Sequence, residues 1–421
     1  MSSNSFKIID AKDFDPGDLS ASLDEATMAG AQAIVTNVRE NGETAIREYA
    51  HQFSERSADQ PLIIDLHEME AAMSRIETED LKLLQRVSTR IADFAEAQLD
   101  CLDELEFEVP GGMAGHNIEP ISNVGCYAPA GRYALPSTVL MTSVPASVAG
   151  CSSITLATPQ PSDLMLAAAA VGGATQVLAV GGAHAIAAMA YGFDQLNRCD
   201  MIVGPGNRWV TAAKKIVSGD CGIDMLAGPS ELVLVADASA NPEMIAADLL
   251  AQAEHDTDAR PFLITTSRNL AEQVIAALDQ QIGNLPTGPT ARQSLANGAA
   301  IVAESMEQAI AVCNSLAPEH LELHLEEAEV IAQEIDNAGC IFIGDQSAEV
   351  FGDYGVGPNH TLPTAGTSRW SAGLNVFTFV RVRTWLQLDK APQSLIDDTA
   401  RLAELEGLIG HQQSALRRKQ P

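Results

Sequence analysis

The chain has 421 residues, of which 46% are hydrophobic, 19% are charged and 5% are aromatic. This length accommodates two or three domains with cores of their own, and the composition is typical of an α/β enzyme rather than a fibrous or disordered chain. The formal net charge of -31 at pH 7 repels phosphate backbones, which argues against a nucleic-acid partner.

No feature of the chain predicts export or membrane insertion. The first residues, MSSNSFKIIDAKDF, lack an apolar core flanked by basic residues, so no secretory signal is visible. The longest apolar stretch, around Leu164–Val180, is interrupted by glycines and polar residues and is too short to span a bilayer. Seven widely spaced cysteines without a CxxC pair are typical of reduced thiols. We therefore expect a cytoplasmic protein without a membrane partner, whose acidity reflects a solubilising surface rather than an acidic docking face.

Residues 20–105 are predicted to be mainly helical. Apolar residues recur at three- and four-residue spacing, with charges between them, in Ala21–Asn41 and Thr78–Leu99. After a break at residues 110–112, short apolar runs end in glycine or turn residues and alternate with Ala-rich helical stretches. One series of predicted strands comprises Ser153–Thr158, Gln176–Gly181 and Met201–Gly204, and a second comprises Leu232–Asp237, Phe262–Thr266, Ala300–Ala303 and Cys340–Gly344.

Such repeated strand–helix alternation implies right-handed crossovers and parallel sheets. The sequence thus predicts an α/β fold with two nucleotide-domain-like parallel sheets and flanking helices, a pair that a duplication would explain, although no internal repeat is evident. A small N-terminal segment precedes the sheets, and the polar tail after Thr384 is predicted to be helical. The segment Gly352–Gly373 is rich in Gly, Pro, Asn and Ser, and loops of that kind at strand ends commonly carry chemistry.

A dinucleotide-binding fingerprint is sought in such a fold, as a strand followed by GxGxxG. The nearest candidate begins at Gly204 and Gly206, but its third glycine position is occupied by Trp209. A glycine is needed there for close helix–strand packing. The pattern alone therefore does not establish NAD binding, and each glycine turn is equally explained as a tight strand–helix connection.

Several polar residues have an unremarkable local setting. His51, His67 and His324 stand beside charges on helix-like stretches and are predicted to lie on the surface. Glu406 and His411 flank a Gly-Leu pair in the polar tail and, on local grounds, would be solvent-exposed.

Gln252 and His255 are spaced i and i+3 in LLAQAEH. On a helix both side chains project from one face, as two ligands of a shared metal ion do. The alternative is an ordinary polar helix end, which local evidence favours.

Two further motifs are candidates for catalysis. Glu319 directly precedes His320, and such a pair can supply a base that titrates near neutral pH and a carboxylate that activates water. Asp353 and His360 lie in a glycine-rich loop, which can bring both side chains into a cleft. None of these motifs decides the function by itself.

Together, these motifs stand in runs that resemble the histidinol dehydrogenase family. IDMLAGPSE at Ile223–Glu231, followed by LLAQAEH ending at His255, resembles the signature of that family. The resemblance continues, in order and over nearly the whole chain, in GCYAPAGRYALPSTVLM (125–141), VGPGNRWVTAAK (203–214), LAPEHLEL (316–323), GDYGVGPNHTLPT (352–364) and EGLIGH (406–411).

The resemblance implies an enzyme that uses one zinc ion per subunit and two NAD molecules to oxidise L-histidinol to L-histidine. The oxidation would take two steps, through an aldehyde held in the site. It also implies a homodimer in which the C-terminal tail of one subunit completes the active site of the other. The predicted domains are an N-terminal segment (1–22), a discontinuous α/β domain (23–124 and 231–372), a Rossmann-like domain (125–230) and a tail domain (373–421).

Carried over residue by residue, the resemblance assigns zinc ligation to Gln252, His255, Asp353 and His411, a plausible borderline ligand set. His320 would be the main general base, and Glu319 would activate the water that attacks the aldehyde. Zinc would mainly orient the substrate. The implied substrate-binding residues are Ser230, Gln252, His255, His320, Asp353, His360, Glu406 and His411. NAD would lie against Tyr127, His184 and Asn207, and the family binds it without the usual glycine fingerprint.

The chain departs from the family pattern at several positions. His184 stands where the family usually carries glutamine, although an imidazole can keep a hydrogen bond. Arg208-Trp209 is bulkier than the usual pair, and the Asn375–Trp385 stretch differs and includes Arg383. Guanidinium groups near the substrate would suit a sulfonate or carboxylate. The simpler explanation for Arg381 and Arg383 is that they are alternate strand residues on one solvated face.

Three functional hypotheses remain open at this point. The first is oxidation of L-histidinol, a small amino alcohol, in histidine biosynthesis, and Glu406 favours it because a carboxylate suits a cationic amine. The second is a paralogue that oxidises another small polar alcohol, such as a sulfonated diol, to its acid. The third is a non-catalytic scaffold, against which the joint presence of the candidate ligands and the Glu319–His320 pair argues.

Overall fold

The structure is a computed structural model that describes residues 6–17, 23–130 and 134–419. Parts of four predictions lie outside the described residues: residues 1–5 and 18–22 of the N-terminal segment, residues 21–22 of the first predicted helix, residues 131–133 of the 125–141 run, and residues 420–421 of the tail domain. The chain forms two compact units, Met1–Glu96 with Ile121–Phe379 and Ala97–Pro120 with Val380–Pro421. Within the described ranges, no helix combines the length and apolar character needed to cross a bilayer.

Sheet I of the first unit has six strands in the order β2-β7-β6-β5-β8-β9. Its strands are β2 (Ile63–Asp65), β5 (Asn123–Tyr127), β6 (Ser153–Ala157), β7 (Gln176–Leu178), β8 (Met201–Val203) and β9 (Gly222–Ile223). All neighbouring pairs are parallel except the edge pair of β2 with β7. The helices that accompany the strands of sheet I in the chain are α1 (Glu25–Asn41), α2 (Glu43–Gln52), α3 (Leu66–Met73), α4 (Thr78–Leu99), α5 (Pro136–Val148), α6 (Asp163–Val171), α7 (Gly182–Tyr191) and α8 (Arg208–Val217).

Local chemistry explains where these helices begin. Asp24, Ser162 and Asn207 cap α1, α6 and α8, because each side chain accepts a hydrogen bond from a backbone N–H of the first turn. Trp209, in the first turn of α8, packs on Gly30 of α1, where an added Cβ atom would lie 2.7 Å from the indole ring. Trp209 occupies the position of the third glycine in the nucleotide fingerprint. It therefore forms a contact between α8 and α1 at this position.

Sheet II of the first unit also has six strands, all paired in parallel, in the order β1-β12-β11-β10-β13-β14. Its strands are β1 (Lys7–Asp10), β10 (Glu231–Ala236), β11 (Arg260–Thr265), β12 (Ala299–Val302), β13 (His320–His324) and β14 (Cys340–Ile343). Its helices are α9 (Pro242–Glu254), α10 (Arg268–Gln281), α11 (Gly288–Ser294), α12 (Met306–Leu316), α13 (Ala328–Ala332) and α14 (Glu349–Asp353).

The two sheets share one strand order, which confirms the predicted α/β class. In sheet I the chain runs from central β5 to β6 and β7 on one side, then crosses to β8 and β9 on the other. In sheet II it runs from central β10 to β11 and β12, then crosses to β13 and β14. This order is that of a doubly wound nucleotide-binding sheet without its sixth strand, with one extra edge strand on each sheet. Every residue of β10 is buried, as expected where both faces of a parallel sheet are covered.

Strand β13 corrects the prediction for His324. We expected a surface residue on a helix-like stretch, whereas His324 ends a buried strand and is 2% exposed. The period-2 alternation of a strand places His320, Glu322 and His324 on one face, while Leu321 and Leu323 join the apolar core on the other. The charged neighbours concealed this alternation. His51 and His67 are exposed, as predicted.

The second unit contains an antiparallel sheet of three strands that the sequence did not reveal. It consists of β3 (Leu105–Val109), β4 (Gly112–Pro120) and β15 (Val380–Leu388), followed by helices α15 (Gln393–Leu405) and α16 (Ile409–Leu416). The tail is thus helical only from Gln393 onward, since β15 extends past Thr384. Arg381 and Arg383 are alternate exposed residues of β15, as the simpler explanation predicted.

Contacts between elements show which sheet the N-terminal elements accompany. Helix α1 contacts α7 and α8, and α3 contacts α6, so both helices pack with helices of sheet I. Strand β1, in the predicted N-terminal segment, pairs with β12 in sheet II. The apolar faces of these elements, rather than chain order, determine which sheet they cover.

Candidate active site

Six of the predicted site residues line one cavity of about 180 Å³ in the first unit: Ser230, His255, Glu319, His320, Asp353 and His360. They come together because β10 and β13 begin, and α9 ends, at the same edge of sheet II. The opposite wall includes Thr138 of α5 and the Pro205-Gly206 turn after β8 of sheet I. The cavity therefore lies between the edge of sheet II where β10 and β13 begin and the α5 and β8-turn residues that accompany sheet I.

Glu319 is held at the amino end of β13 by two hydrogen bonds to one carboxylate oxygen. Ser230 Oγ donates to Glu319 Oε2 at 2.7 Å, and the backbone N–H of Glu231 donates to the same oxygen at 2.9 Å. Burial raises the pKa of Glu319 well above its usual range, and these two hydrogen bonds act against that shift. A carboxylate with a raised pKa is a stronger base than a solvated one, which suits it to activating water.

His320 presents one free ring nitrogen to the cavity. Its Nδ1 lies 3.2 Å from the carbonyl oxygen of Glu231, and a carbonyl can only accept, so we assign the proton to Nδ1. The Nε2 atom then carries a lone pair and has no hydrogen-bond partner among the described residues. Burial lowers the pKa of His320 to about 4, which keeps the ring neutral at pH 7. A neutral imidazole with a free Nε2 can accept a proton.

Asp353 and His255 form the polar wall opposite this base. The Nε2 atom of His255 is 3.5 Å from Asp353 Oδ2, while Asp353 Oδ1 is 3.9 Å from His320 Nε2. Burial acts to raise the pKa of Asp353, but the hydrogen bond from His255 and the nearby histidines outweigh it and lower that pKa to about 2. Asp353 is therefore an ionised carboxylate that faces three imidazoles.

Gln252 provides the test of whether a metal ion fits here. It lies one turn before His255 on α9 and is completely buried, yet neither its amide oxygen nor its amide nitrogen has a hydrogen-bond partner among the described residues. Buried amides are nearly always bonded, so an unpaired one requires an explanation. An amide oxygen, an imidazole from His255 and a carboxylate from Asp353 together form a ligand set that suits a divalent ion such as zinc.

Glu349 is a member of this centre that sequence reasoning missed. It is 3% exposed, neither carboxylate oxygen has a hydrogen-bond partner among the described residues, and Oε1 is 3.4 Å from His320 Nδ1. Its carboxylate also lies within 4.8 Å of ligand atoms of His255 and Asp353. Burial raises its pKa well above the usual range, and Asp353 adds to that shift. One acidic residue in a short polar stretch gives no local signal, because its position depends on the fold of α14.

His360 is oriented by two hydrogen bonds. Its Nδ1 donates to the carbonyl oxygen of Asp353 at 3.0 Å, which leaves Nε2 to accept from Thr138 Oγ1 at 3.2 Å. Burial lowers the pKa of His360, so this ring is also neutral at pH 7. His360 thus links the loop after α14 to the first turn of α5.

The three predicted cofactor contacts, Tyr127, His184 and Asn207, line a second cavity of about 700 Å³ at the carboxyl ends of the strands of sheet I. The hydroxyl of Tyr127 accepts from the backbone N–H of Gly182 at 3.0 Å. Asn207 Oδ1 accepts from the first backbone N–H groups of α8. This edge, where the strand order reverses, is the place where doubly wound sheets bind nucleotides.

His184 keeps a hydrogen bond, but to a residue that sequence reasoning missed. Its Nε2 lies 2.9 Å from Glu55 Oε2, and its ring stacks on Phe53 with centroids 5.6 Å apart. The other ring nitrogen, Nδ1, is buried without a hydrogen-bond partner among the described residues. A cavity of this size with aromatic walls and such an unpaired nitrogen fits a dinucleotide.

The turn after β8 packs closely against the backbone of β5 at Gly204. Gly204 has φ +112°, and an added Cβ atom would lie 2.1 Å from the carbonyl oxygen of Tyr127. Only glycine permits that approach, so the turn after β8 uses its glycine for packing against β5.

The two tail residues of the predicted site belong to the second unit. Glu406 follows α15 and His411 lies on α16, and both are exposed. Exposed apolar residues surround them in the chain, with Leu405 66%, Leu408 45% and Ile409 53% exposed.

Comparisons with known proteins point to one family. The family model described as histidinol dehydrogenase matches residues 20–419. The chain is 43% identical over 390 residues to a histidinol dehydrogenase of Halalkalibacterium halodurans, covering 90% of this chain and 91% of that protein. It is 41% identical over 396 residues to one of Parasynechococcus marenigrum, covering 91% of this chain and 89% of the relative.

A solved structure agrees with these sequence matches. The crystal structure of histidinol dehydrogenase from Elizabethkingia anophelis superposes with a TM-score of 0.91 and 32% identity, covering 99% of each chain. This likeness extends to the arrangement of sheets and helices over almost the whole chain.

Proposed function

The chain belongs to the histidinol dehydrogenase family, and from this premise we propose that it oxidises L-histidinol to L-histidine in two hydride-transfer steps, through an aldehyde that stays in the site. The proposal is that of a zinc-dependent, NAD-linked enzyme of histidine biosynthesis. The observation that carries it is the neutral His320 with a free Nε2, set beside Glu319 in a cavity lined by carboxylates.

His320 is the proposed proton acceptor for the alcohol. Its Nδ1–H is committed to the Glu231 carbonyl, so Nε2 is the atom that takes the hydroxyl proton as the hydride leaves the adjacent carbon. Because burial keeps the ring neutral, no proton has to be removed from it first. The carboxylate of Asp353, 3.9 Å from Nε2, would stabilise the imidazolium that forms.

Glu319 is the proposed base for the second step. It would take a proton from the water that adds to the aldehyde, which gives a hydrate. His320, once it has released its first proton to solvent, would then deprotonate a hydroxyl of that hydrate. Two donors hold Oε2 of Glu319, so the carboxylate keeps a fixed orientation. In total the substrate carbon gains one oxygen from water and loses two hydrides.

The residues that would hold zinc are Gln252, His255 and Asp353 of this chain, with His411 supplied by a second copy. When bound, the ion would mainly orient the polar groups of the substrate. Ser230, His360 and Glu406 are proposed to hold the remaining polar groups.

NAD is proposed to occupy the 700 Å³ cavity against Tyr127, His184 and Asn207. When bound, NAD would supply the hydride acceptor for both steps. The Pro205-Gly206 turn, which precedes Asn207, reaches the wall of the catalytic cavity, so the two cavities adjoin the same loop.

The charge of the catalytic cavity favours an amino alcohol over a sulfonated one. The described residues that line it include the carboxylates Glu319 and Asp353 but neither lysine nor arginine. Arg383, the cation that raised the alternative, is instead paired with Glu119 at 2.6 Å in the second unit. The ionised Asp353 would attract the cationic amine of an amino alcohol, and no described lining residue supplies a cation to pair with a sulfonate.

One assay tests the proposal. The purified, zinc-loaded protein is incubated with NAD and either L-histidinol or a sulfonated diol, and the NADH formed per molecule of substrate is counted. We expect two NADH per histidinol and no turnover of the diol. Turnover of the diol without turnover of histidinol would replace this proposal with the paralogue.

A further inference from the structure

A second cluster of ligand-type side chains lies behind the catalytic cavity. It consists of Asp248 on α9 with Glu322 and His324 on β13, and their ligand atoms all lie within 4.8 Å of one another. Glu322 and His324 follow His320 at two-residue steps on the same face of the strand. Glu322 therefore lies roughly 7 Å further along β13 than His320. The cluster shares no residue with the proposed zinc centre.

The cluster is buried and its polar atoms are not paired with one another by normal hydrogen bonds. Glu322 is completely buried and His324 is 2% exposed. Neither ring nitrogen of His324 has a hydrogen-bond partner among the described residues, and the same holds for Glu322 Oε2 and Asp248 Oδ2. Unpaired buried polar atoms are costly, and three of these, His324 Nε2, Glu322 Oε2 and Asp248 Oδ2, converge on one point, which indicates a group that binds them all.

The distances suit a metal ion better than direct contact. His324 Nε2 is 3.5 Å from Glu322 Oε2 and 3.8 Å from Asp248 Oδ2. These separations are long for hydrogen bonds. Two ligands bound to one zinc ion at about 2.0–2.2 Å stand roughly 3.0–3.5 Å apart, so only a small contraction is needed.

The charges of the two carboxylates and the hydrogen bond that holds Glu322 both favour a bound divalent ion. Two ionised carboxylates would place two negative charges in a buried position, and a divalent cation would neutralise them. The other oxygen of Glu322 accepts from the backbone N–H of Glu349 at 2.6 Å, which fixes that carboxylate in place.

We propose that Asp248, Glu322 and His324 form a second site for a divalent transition-metal ion, with Zn²⁺ as the ion that matches one imidazole and two carboxylates. The side chain of Asp248 is 14% exposed, so the ion enters from the α9 side. Bound there, it joins α9, which carries Gln252 and ends directly before His255, to β13, which carries His320. The alternative occupant of the cluster is a shared proton.

Metal stoichiometry tests the proposal. The full chain and its variants are stripped with a chelator, dialysed against Zn²⁺ alone and analysed for zinc per chain. We expect two equivalents for the unmodified chain, one for His324→Gln and two for the control His51→Gln, which changes an exposed histidine. Loss of no zinc in His324→Gln would overturn the proposal and leave the proton as the occupant.

A second variant, Asp353→Asn, allows the proposal to be tested even if His324→Gln does not fold. Asp353→Asn removes a ligand of the proposed catalytic centre and leaves the cluster intact, so it should still bind one Zn²⁺. The double variant Asp353→Asn, His324→Gln should bind none. An absence of zinc from Asp353→Asn would contradict the second site. If instead the catalytic centre binds no zinc, the unmodified chain binds one equivalent and His324→Gln none, which separates this inference from the proposed function.

Discussion

Ser230 Oγ donates a 2.7 Å hydrogen bond to Glu319 Oε2, although the two residues are 89 positions apart in the chain. The parallel pairing of β10 with β13 brings them together, because each residue directly precedes the first residue of its strand. This hydrogen bond opposes the burial that raises the pKa of Glu319. Ser230 therefore positions the proposed base and tunes its basicity in addition to any contact with substrate.

Ser230→Ala should impair the step that depends on Glu319. Loss of a hydrogen bond to a charged group costs about 1.5–3 kcal/mol, so kcat should fall roughly 10- to 100-fold. The pKa of Glu319 should rise further, which moves the acidic limb of the kcat–pH profile to higher pH. Steady-state assays over a pH series with L-histidinol measure both effects. Ser267→Ala, which removes the cap of α10, is the matched control and should leave the profile unchanged. An unshifted profile in Ser230→Ala would refute this role.

The predicted strands of sheets I and II were recognisable because they are continuous apolar runs that end in turn residues, whereas the sequence did not predict β1, β2, β5, β9 or β13. Strands such as β10, with every residue buried, leave an unambiguous pattern. The three-stranded sheet of the second unit was missed because β4 contains Gly112 and Gly115 among residues of mixed polarity. An added Cβ on either glycine would lie 2.0 Å from a neighbouring backbone oxygen, so close strand approach, rather than hydrophobic alternation, defines this sheet.

The site residues could be predicted together only because the sequence motifs that contain them resemble those of one family. Locally, Gln252 with His255 suggested an ordinary helix end, and the fold supplies what local evidence lacked by burying Gln252 without hydrogen-bond partners. Glu349 and Glu55 gave no signal, since each acquires its role from a contact across the fold. Long-range contacts of this kind are not encoded in spacing along the chain.

Glu231→Gln should flatten the dependence of stability on pH. Burial raises the pKa of Glu231 from 4.5 to about 7, and Arg260 only partly offsets this. In the folded state Glu231 keeps its proton above the pKa of the unfolded chain, so its contribution to stability is present below about pH 4.5 and is lost as pH rises through 7. The shift corresponds to at most about 3 kcal/mol between pH 4.5 and 8.

Urea unfolding at pH 5 and pH 8 measures this effect. The loss of stability at the higher pH should be smaller in Glu231→Gln than in the unmodified chain. Glu243→Gln, a change at a helix start rather than in the core, should show the unmodified difference. Equal losses in Glu231→Gln and the unmodified chain would show that Glu231 does not titrate in this range.

His184→Ala should weaken NAD binding, whereas His184→Gln should preserve it. The alanine change removes the hydrogen bond to Glu55 and the ring stacked on Phe53, so both of these side chains in the cavity wall lose a fixed partner. A loss of about 1.4 kcal/mol corresponds to a roughly tenfold increase in the Kd for NAD. Glutamine keeps an N–H donor for Glu55, and its Kd should stay within about threefold. Calorimetric titration measures both. Equal Kd values for the two variants would show that the Glu55 contact is irrelevant to the cofactor.

Mixing two inactive variants should restore activity if His411 completes the site of a second copy. All cavity residues belong to the first unit, while His411 is exposed on α16 of the second unit among exposed apolar residues. His320→Ala and His411→Ala should each be inactive alone. After subunits are exchanged, half of the dimers are hybrids with one intact site each, so about a quarter of the unmodified activity should return. The matched control mixes His320→Ala with Glu319→Gln, whose hybrids contain no intact site and should stay inactive. Formation of hybrids by His320→Ala and His411→Ala without any recovery would mean that each tail serves its own subunit.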